Sequence, residues 1–332
     1  MTLLAADIGG TNVRLCLARA GESRFLAEQT YASADFASFN DVLRRFLVDV
    51  SAGTIGSACI AVAGPIRESA DGQTVKVTNL PWEIGATALQ KEFGFSKLRL
   101  INDFEAIGYG IEALGEKDFV VLQPGHPVAH GPRAVIGAGT GLGQAILVWQ
   151  GERYEVIATE GGHTEFGPTD DLQIELARYL IKRFGRASYE RVLSGPGLVR
   201  LYEFLRGQGV VAESTVVVET MKTADPAAAI VDAALAHADP LAAMALDLFV
   251  RIYGAQAGNL ALTAGATGGV YLAGGIAPKI ISRLRDILFL DAFRSKGNMS
   301  AYVENIPVRV VMNPKVGLIG AVAVAARGLP TQ

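Results

Sequence analysis

The chain has 332 residues, is 50% hydrophobic and carries a formal net charge of -3, so two domains are expected in place of one core, with no electrostatic reason to hold nucleic acid. No basic leader precedes Asp7, and no apolar run reaches the roughly 18 residues of a membrane helix, which predicts a cytoplasmic protein without a membrane partner. Cys16 and Cys59 are the only cysteines; each lies in an apolar alternating run and reads as a small buried hydrophobe, in keeping with a reducing compartment.

In chain order, residues 3–8 and 13–18 are short apolar runs separated by Gly9, Gly10, Thr11 and Asn12, the pattern of two strands in one hairpin. Phe36, Phe39, Val42, Leu43, Phe46 and Leu47 follow at helical spacing, and "SACIAVAGPI" reads as a buried strand ended by Gly-Pro. "TVKVTN" predicts a strand, residues 84–93 a helix, and "KLRLINDF" a strand running into polar residues. Strands alternating with helices imply a largely parallel sheet with its functional groups at strand ends. "RAVIGAGTGLGQAILVW", residues 133–149, repeats the opening pattern of strand, glycine turn and strand, as two related lobes would. Helices are expected from 171 onward at "DDLQIELARYLIKRF" and "SYERVLSG", then near Pro226 and at Asp239-Pro240, where Asp239 suits an N-cap and Pro240 a first helical position. "GGVYLAGGIAPKI" returns to strand, turn and helix, and "NPKVGLIGAVAVAARG" predicts a last helix that rejoins the first lobe.

The glycine turns exclude two familiar nucleotide motifs. A dinucleotide fingerprint needs a helix after its glycines, yet strand-like runs follow both turns, and neither turn carries the Lys of a Walker loop. What remains is a pair of turns whose backbone N–H groups at Gly9, Gly10, Gly139 and Gly141, with the hydroxyls of Thr11 and Thr140, could cradle phosphates; the plainer alternative is two ordinary hairpins. Asp7, at the end of a buried strand, needs a cation or a donor, and Mg²⁺ held through water is the expected partner.

The motifs "DIGGTNVRL", "INDF", "GAGTGLG", "EGGHTEF", "RVLSGPGL" and "LAGGI", in that order, resemble those of the bacterial ATP-dependent glucokinases, within the actin, hexokinase and Hsp70 ATPase superfamily. The resemblance implies an α/β, two-lobed actin-like ATPase (ribonuclease H-like) fold. Its smaller domain would comprise 1–113 plus 314–332 and its larger one 114–313, with ATP and glucose in the intervening cleft. It further implies phosphate contacts from Asn12 and both glycine turns, adenosine contacts around Gly274 and Gly275, and a cytoplasmic homodimer supplying glycolysis.

The resemblance assigns Asp103 as the general base that takes the proton of the sugar 6-hydroxyl late in a loose phosphoryl transfer, with Asn102 bonding neighbouring hydroxyls. Read on their own, Asn102 and Asp103 could equally cap a helix starting near Phe104. Glu160 and His163 flank two glycines and offer an acceptor beside a donor/acceptor, which fits a polyol; a lone His also reads as structural or as a zinc ligand. No cysteine follows His163, so the cysteine-rich zinc cluster of related kinases is missing and no zinc is expected. Glu190 suits the first turn of a helix without any ligand, whereas the resemblance puts it in the sugar site beside Glu160. Asn79 ends a strand and would orient the sugar-binding loop.

Two further functions compete. A sugar-responsive regulator would need a DNA-binding module, and a first strand at Leu3 leaves no room for one. A kinase of the same superfamily acting on mannose or an N-acetylated hexosamine differs only in pocket shape, which motifs do not record. A polymer-forming or chaperone-like ATPase gives no reason for the sugar-binding residues.

Overall fold

A computed structural model describes residues 1–22 and 24–327; residues 328–332 of the expected smaller domain lie outside them. Contacts divide the chain into two units, one of Met1–Glu116, Tyr154–Ala158 and Asn313–Gln332, the other of Lys117–Arg153 and Thr159–Met312.

The first unit opens on the expected hairpin, β1 (Thr2–Ile8) and β2 (Asn12–Arg19), antiparallel with Asp7 opposite Arg14. An unforeseen third strand, β3 (Phe25–Ala32), pairs with β2. Helix α1 (Phe39–Asp49) starts behind Ser38, whose hydroxyl accepts the Asp41 N–H at 3.3 Å. Phe36 therefore stands outside the helix, a correction to the periodic reading, while Phe39, Val42, Leu43 and Phe46 form its buried face. β4 (Ile55–Val62) is buried at every position, as a central parallel strand covered on both faces should be. β5 (Ile66–Ser69), β6 (Gly72–Lys76) and β7 (Glu83–Gly85) make a small antiparallel sheet. Residues 83–85 pair with β6, so the helix expected from 84 begins at Ala86 as α2 (Ala86–Phe93). β8 (Lys97–Asn102) runs directly into α3 (Asp103–Ile111). The main sheet has the order β3-β2-β1-β4-β8, with β1, β4 and β8 mutually parallel.

The second unit contains β9 (Phe119–Gln123) and the second hairpin, β10 (Arg133–Ala138) and β11 (Leu142–Trp149). β12 (Tyr154–Thr159) follows, most of it clustering with the first unit. Then come α4 (Asp171–Phe184), α5 (Gly195–Gly207), α6 (Thr215–Thr223), α7 (Pro226–Leu235) and α8 (Pro240–Ala264). "SYERVLSG" is not the helix expected of it: it makes a single 3-10 turn, Tyr189–Arg191. Ser194 ends that segment by capping α5, accepting the Gly197 N–H at 3.0 Å. Asp239 caps α8 as its sequence predicts, with Oδ1 2.9 Å from the Ala242 nitrogen. β13 (Gly269–Ala273), α9 (Ile281–Leu284), α10 (Ile287–Arg294), α11 (Ser300–Glu304) and β14 (Val308–Val311) complete the unit. β10, β13 and β14 are parallel neighbours, and α5, α7, α8 and α10 supply most of the apolar core above them.

The last helix, α12 (Val316–Arg327), returns to the first unit as expected and packs on α3, β1 and β4. Leu318, Ala321, Val324 and Ala325 close a core that includes both cysteines. Cys16 and Cys59 are fully buried; burial pushes the Cys16 thiol up to about 12 and the Cys59 thiol up as well. Because the thiolate is the reactive form, the native protein is expected to give no colour with a thiol-specific disulfide reagent and two equivalents after unfolding. Rapid labelling of the native protein would contradict this. No single helix among the described residues is long and apolar enough to cross a membrane.

Candidate active site

In the first unit the parallel strands β1, β4 and β8 end at one edge of the sheet, Ile8 level with Val62 and Val62 with Asn102. Loops leaving the carboxyl ends of parallel strands are where an α/β sheet places ligand-binding groups, and Gly9–Asn12, Asn102 and Asp103 lie there; Asn79, expected to end a strand, lies instead in a turn beyond β6 of the small antiparallel sheet. The turn after β1 is closed by the Gly9 N–H donating to the Asn12 carbonyl at 2.9 Å, and Ser33 braces it by donating N–H to Thr11 and hydroxyl to Gly9. Gly10, Thr11 and Asn12 are exposed at its tip. Asn79 adopts a left-handed φ of 63°, and its Cβ would lie 3.7 Å from one added to Gly10. Asn79 thus flanks the glycine turn.

Asp7 sits one layer below. Burial pushes its carboxyl above the usual range, opposed by the charge of Arg14, its cross-strand neighbour. Arg14 donates Nη1 to the Pro314 carbonyl at 2.9 Å, and a Cβ on Gly317 would come 3.4 Å from Asp7 Oδ2, so the first turn of α12 lies against the carboxylate, where a helix N-terminus favours an anion. Arg14 and Gly317 are not among the candidate residues the motifs mark. Arg14 had a signal, since a tight turn at 9–12 fixes residue 14 opposite residue 7; Gly317 had none.

Asn102 and Asp103 do begin a helix. Asn102 Oδ1 accepts the N–H groups of Phe104 at 2.8 Å and Glu105 at 3.4 Å, so its acceptor is occupied by capping and its amide N–H₂ is the end left to serve a ligand. Asp103 is the first residue of α3, half-buried, with Oδ1 3.0 Å from the Phe104 nitrogen. Capping and ligand contact are therefore compatible here, because the cap comes from Asn102.

In the second unit, the turn at Gly139, Thr140 and Gly141 is closed by Gly139 N–H donating to the Gly141 carbonyl at 2.9 Å. The first residue of α5, Gly195, donates to the Gly139 carbonyl at 2.8 Å, and Ile276 donates to the Ala138 carbonyl at 3.2 Å. Gly274 has φ 79°, and a Cβ there would sit 2.5 Å from the Ala138 oxygen, so only glycine lets the 274–276 turn lie on the end of β10. Both glycine loops of this unit are thereby joined. At Gly139 and Gly275 an added Cβ meets nothing within 4 Å.

Glu160, His163 and Glu190 also converge. His163 Nε2 is 3.9 Å from Glu160 Oε2, and His163 Nδ1 is 3.9 Å from Glu190 Oε1, separations too long for hydrogen bonds. Arg186 holds the loop from behind, donating to the His163 carbonyl at 2.8 Å and pairing with Glu165. Glu190 Oε2 accepts the Leu142 N–H at 3.1 Å. A one-turn 3-10 segment carries little dipole to stabilise an acid, so the helix-terminus explanation of Glu190 loses to this specific bond.

A family model for glucokinase matches residues 4–328. A glucokinase of Nostoc punctiforme is 43% identical, the alignment covering 98% of this chain and 99% of that one. Among solved structures, a glucokinase from an Antarctic psychrotroph superposes with a TM-score of 0.84 at 35% identity, covering 98% of this chain and 99% of that one. A glucokinase of Balamuthia mandrillaris in complex with glucose gives 0.80 at 27%, covering 98% and 94%. A ROK family glucokinase of Streptomyces griseus in complex with glucose and AMPPNP gives 0.64 at 21%, covering 99% and 100%, a likeness of fold alone. The fold is that of the actin-like sugar kinases. Matched along nearly its whole length, the chain belongs to the glucokinase family.

Proposed function

We propose that this protein transfers the terminal phosphoryl group of ATP to the 6-hydroxyl of D-glucose, giving glucose 6-phosphate and ADP. Beside the family match, the observation that carries the reading is the convergence of Glu160, His163 and Glu190 around gaps of 3.9 Å. Two acceptors on either side of an imidazole suit vicinal hydroxyls, each of which both donates and accepts. Asn102 adds a donor through its amide, and Asn79 braces the turn at Gly10.

Phosphoryl transfer asks the protein mainly for positioning and charge stabilisation. The Gly9 and Gly139 N–H groups are taken by the bonds that close their turns, a correction to the expected donor set, so the backbone donors offered to the phosphates are those of Gly10, Thr11, Thr140 and Gly141, with Gly274 and Gly275 toward the adenosine. Asp103 accepts the 6-hydroxyl proton as the oxygen–phosphorus bond forms. Asp7 fits Mg²⁺: it is a half-buried carboxylate at the end of β1, beside the glycine turn, and among the described residues no three His, Cys, Asp or Glu gather into a metal cage. A cation that keeps its waters and takes its remaining ligands from phosphates suits such a lone carboxylate. When bound, Mg²⁺ supplies charge neutralisation on the phosphates. The reading extends to a cytoplasmic homodimer, for which light scattering should return twice the chain's 35.0 kDa.

Two expectations separate the sites. Glu160→Gln or His163→Ala raises the glucose KM about tenfold or more, the cost of a lost charged or buried hydrogen bond, with calorimetric ATP affinity unchanged; equal losses for both ligands would contradict a sugar-specific role. Gly139→Ala and Gly275→Ala leave the melting temperature in place, since an added Cβ meets nothing there, yet raise the ATP KM several-fold because the ligand is then what approaches the backbone. Unchanged ATP kinetics would remove those turns from the nucleotide site. The reading as a whole is tested by ADP release across a panel of hexoses with Mg²⁺ and ATP. Glucose is expected to give the highest kcat/KM; preference for mannose or an N-acetylated hexosamine would move the protein to another kinase class, and silence with every sugar would end the kinase reading.

A further inference from the structure

The residues proposed to hold the sugar rest on the same three residues of β11 that continue the phosphate turn. Leu142 follows Gly141 directly. Its N–H goes to Glu190 Oε2 at 3.1 Å, and a Cβ added to Gly162 would stand 2.0 Å from its carbonyl oxygen. Two residues on, the Gln144 carbonyl accepts the Thr159 hydroxyl at 3.2 Å, and a Cβ on Gly161 would come 2.3 Å from Gln144 Oε1. Gln144 is 3% exposed, and its Nε2 is a buried donor with no partner, so the seat of the 160s loop is not fully satisfied in this state. On the other side, a Cβ on Gly141 would approach Glu190 Oε2 to 2.6 Å, so the carboxylate also lies against the turn itself.

We infer that Glu190 is a coupling residue: through its bond to the Leu142 N–H it makes the arrangement of the Gly139–Gly141 turn depend on whether sugar is bound. The inference rests on the reading of these residues as sugar and phosphate sites. One oxygen, Oε1, faces His163 and the space a sugar hydroxyl would fill, while the other holds the strand that leads out of the turn. A hydroxyl donating to Oε1 fixes the carboxylate plane, and that plane sets where Leu142, and with it Gly141, can sit. Sugar binding thereby removes freedom that the nucleotide would otherwise have to remove, which is positive coupling and acts equally in both directions.

The test measures AMPPNP affinity by calorimetry with and without saturating glucose, in the presence of Mg²⁺. In the native chain glucose should tighten AMPPNP by at least about fivefold, the lower end of ordinary coupling. Leu142→Pro removes this N–H at the first residue of a strand, a position that tolerates proline. It should bring the ratio to within about twofold of unity. A proline variant that retains the native ratio overturns the inference. Should that variant fail to fold, amide exchange in the native chain decides: glucose alone, without nucleotide, should slow exchange at Leu142 about threefold or more, and unchanged or faster exchange overturns the inference. Glucose binding and turnover in the same native samples distinguish the two levels. Glucose that binds and is phosphorylated without affecting AMPPNP affinity defeats the coupling and leaves the proposed function standing; glucose that does not bind defeats the function.

Discussion

Replacing Asp103 by Asn is expected to lower kcat by roughly 10² to 10⁴, the usual range for loss of a general base, while the fold survives. The expectation of survival is structural. Asn102, not Asp103, caps α3 through its bonds to Phe104 and Glu105, so the substitution leaves the cap intact. Asparagine keeps the volume and one acceptor oxygen but cannot take a proton. Initial rates at saturating ATP and glucose, compared with binding of glucose alone, separate the two effects. A large fall in kcat with glucose affinity retained is the outcome that fits a base; near-normal turnover of the folded variant would end the assignment.

Gly320→Ala is expected to cost about 1–3 kcal/mol of stability, the range for forcing extra volume into a tightly packed site. Helices α3 and α12 cross with their backbones in contact: a Cβ on Gly320 would lie 1.8 Å from the Ala106 oxygen, and one on Gly110 would lie 2.0 Å from the Val316 oxygen. Backbone cannot yield as the end of a flexible side chain can, so the two helices must separate. The shift would reach the site at both ends, since α3 begins at Asp103 and α12 begins beside Asp7. Urea unfolding should show a lower midpoint with unchanged slope, accompanied by reduced turnover. Gly139→Ala provides the contrast, since the same added methyl meets no neighbour and should leave the midpoint where it is. A Gly320 variant as stable as the native chain would mean that the crossing is looser than these distances imply.

Features written in local chemistry were legible before any coordinates. The hairpins are marked by apolar runs around glycine, and the start of α8 by Asp239 and Pro240. The strand ending at Asn102 declares itself by the abrupt change from apolar to polar residues. What escaped was set by tertiary context. β3 carries no fully buried position, and its exposed face includes Leu26, 48% exposed, and Ala32, so apolar letters fall on both faces and do not mark the half-buried side. β14 has four residues, too few for a period to show. "SYERVLSG" has apolar residues at spacings that allow a helix, but Ser194 and the Gly195-Pro196-Gly197 run start a new one and cut it short. At the site, residue types and motif order pointed to Glu160, His163 and Glu190, whereas the Glu190 bond to Leu142 joins positions 48 apart through a backbone N–H, which no residue letter records. Gly317 beside Asp7 and Gln144 beneath Gly161 were hidden for the same reason: their roles come from close approach between elements remote in sequence.

The most direct measurement is the identity of the product. Glucose labelled with ¹³C at carbon 6, incubated with ATP, Mg²⁺ and the purified protein, should develop phosphorus coupling at that carbon as ADP accumulates. Phosphate on another carbon, or ATP consumed with the sugar unmodified, would contradict the account.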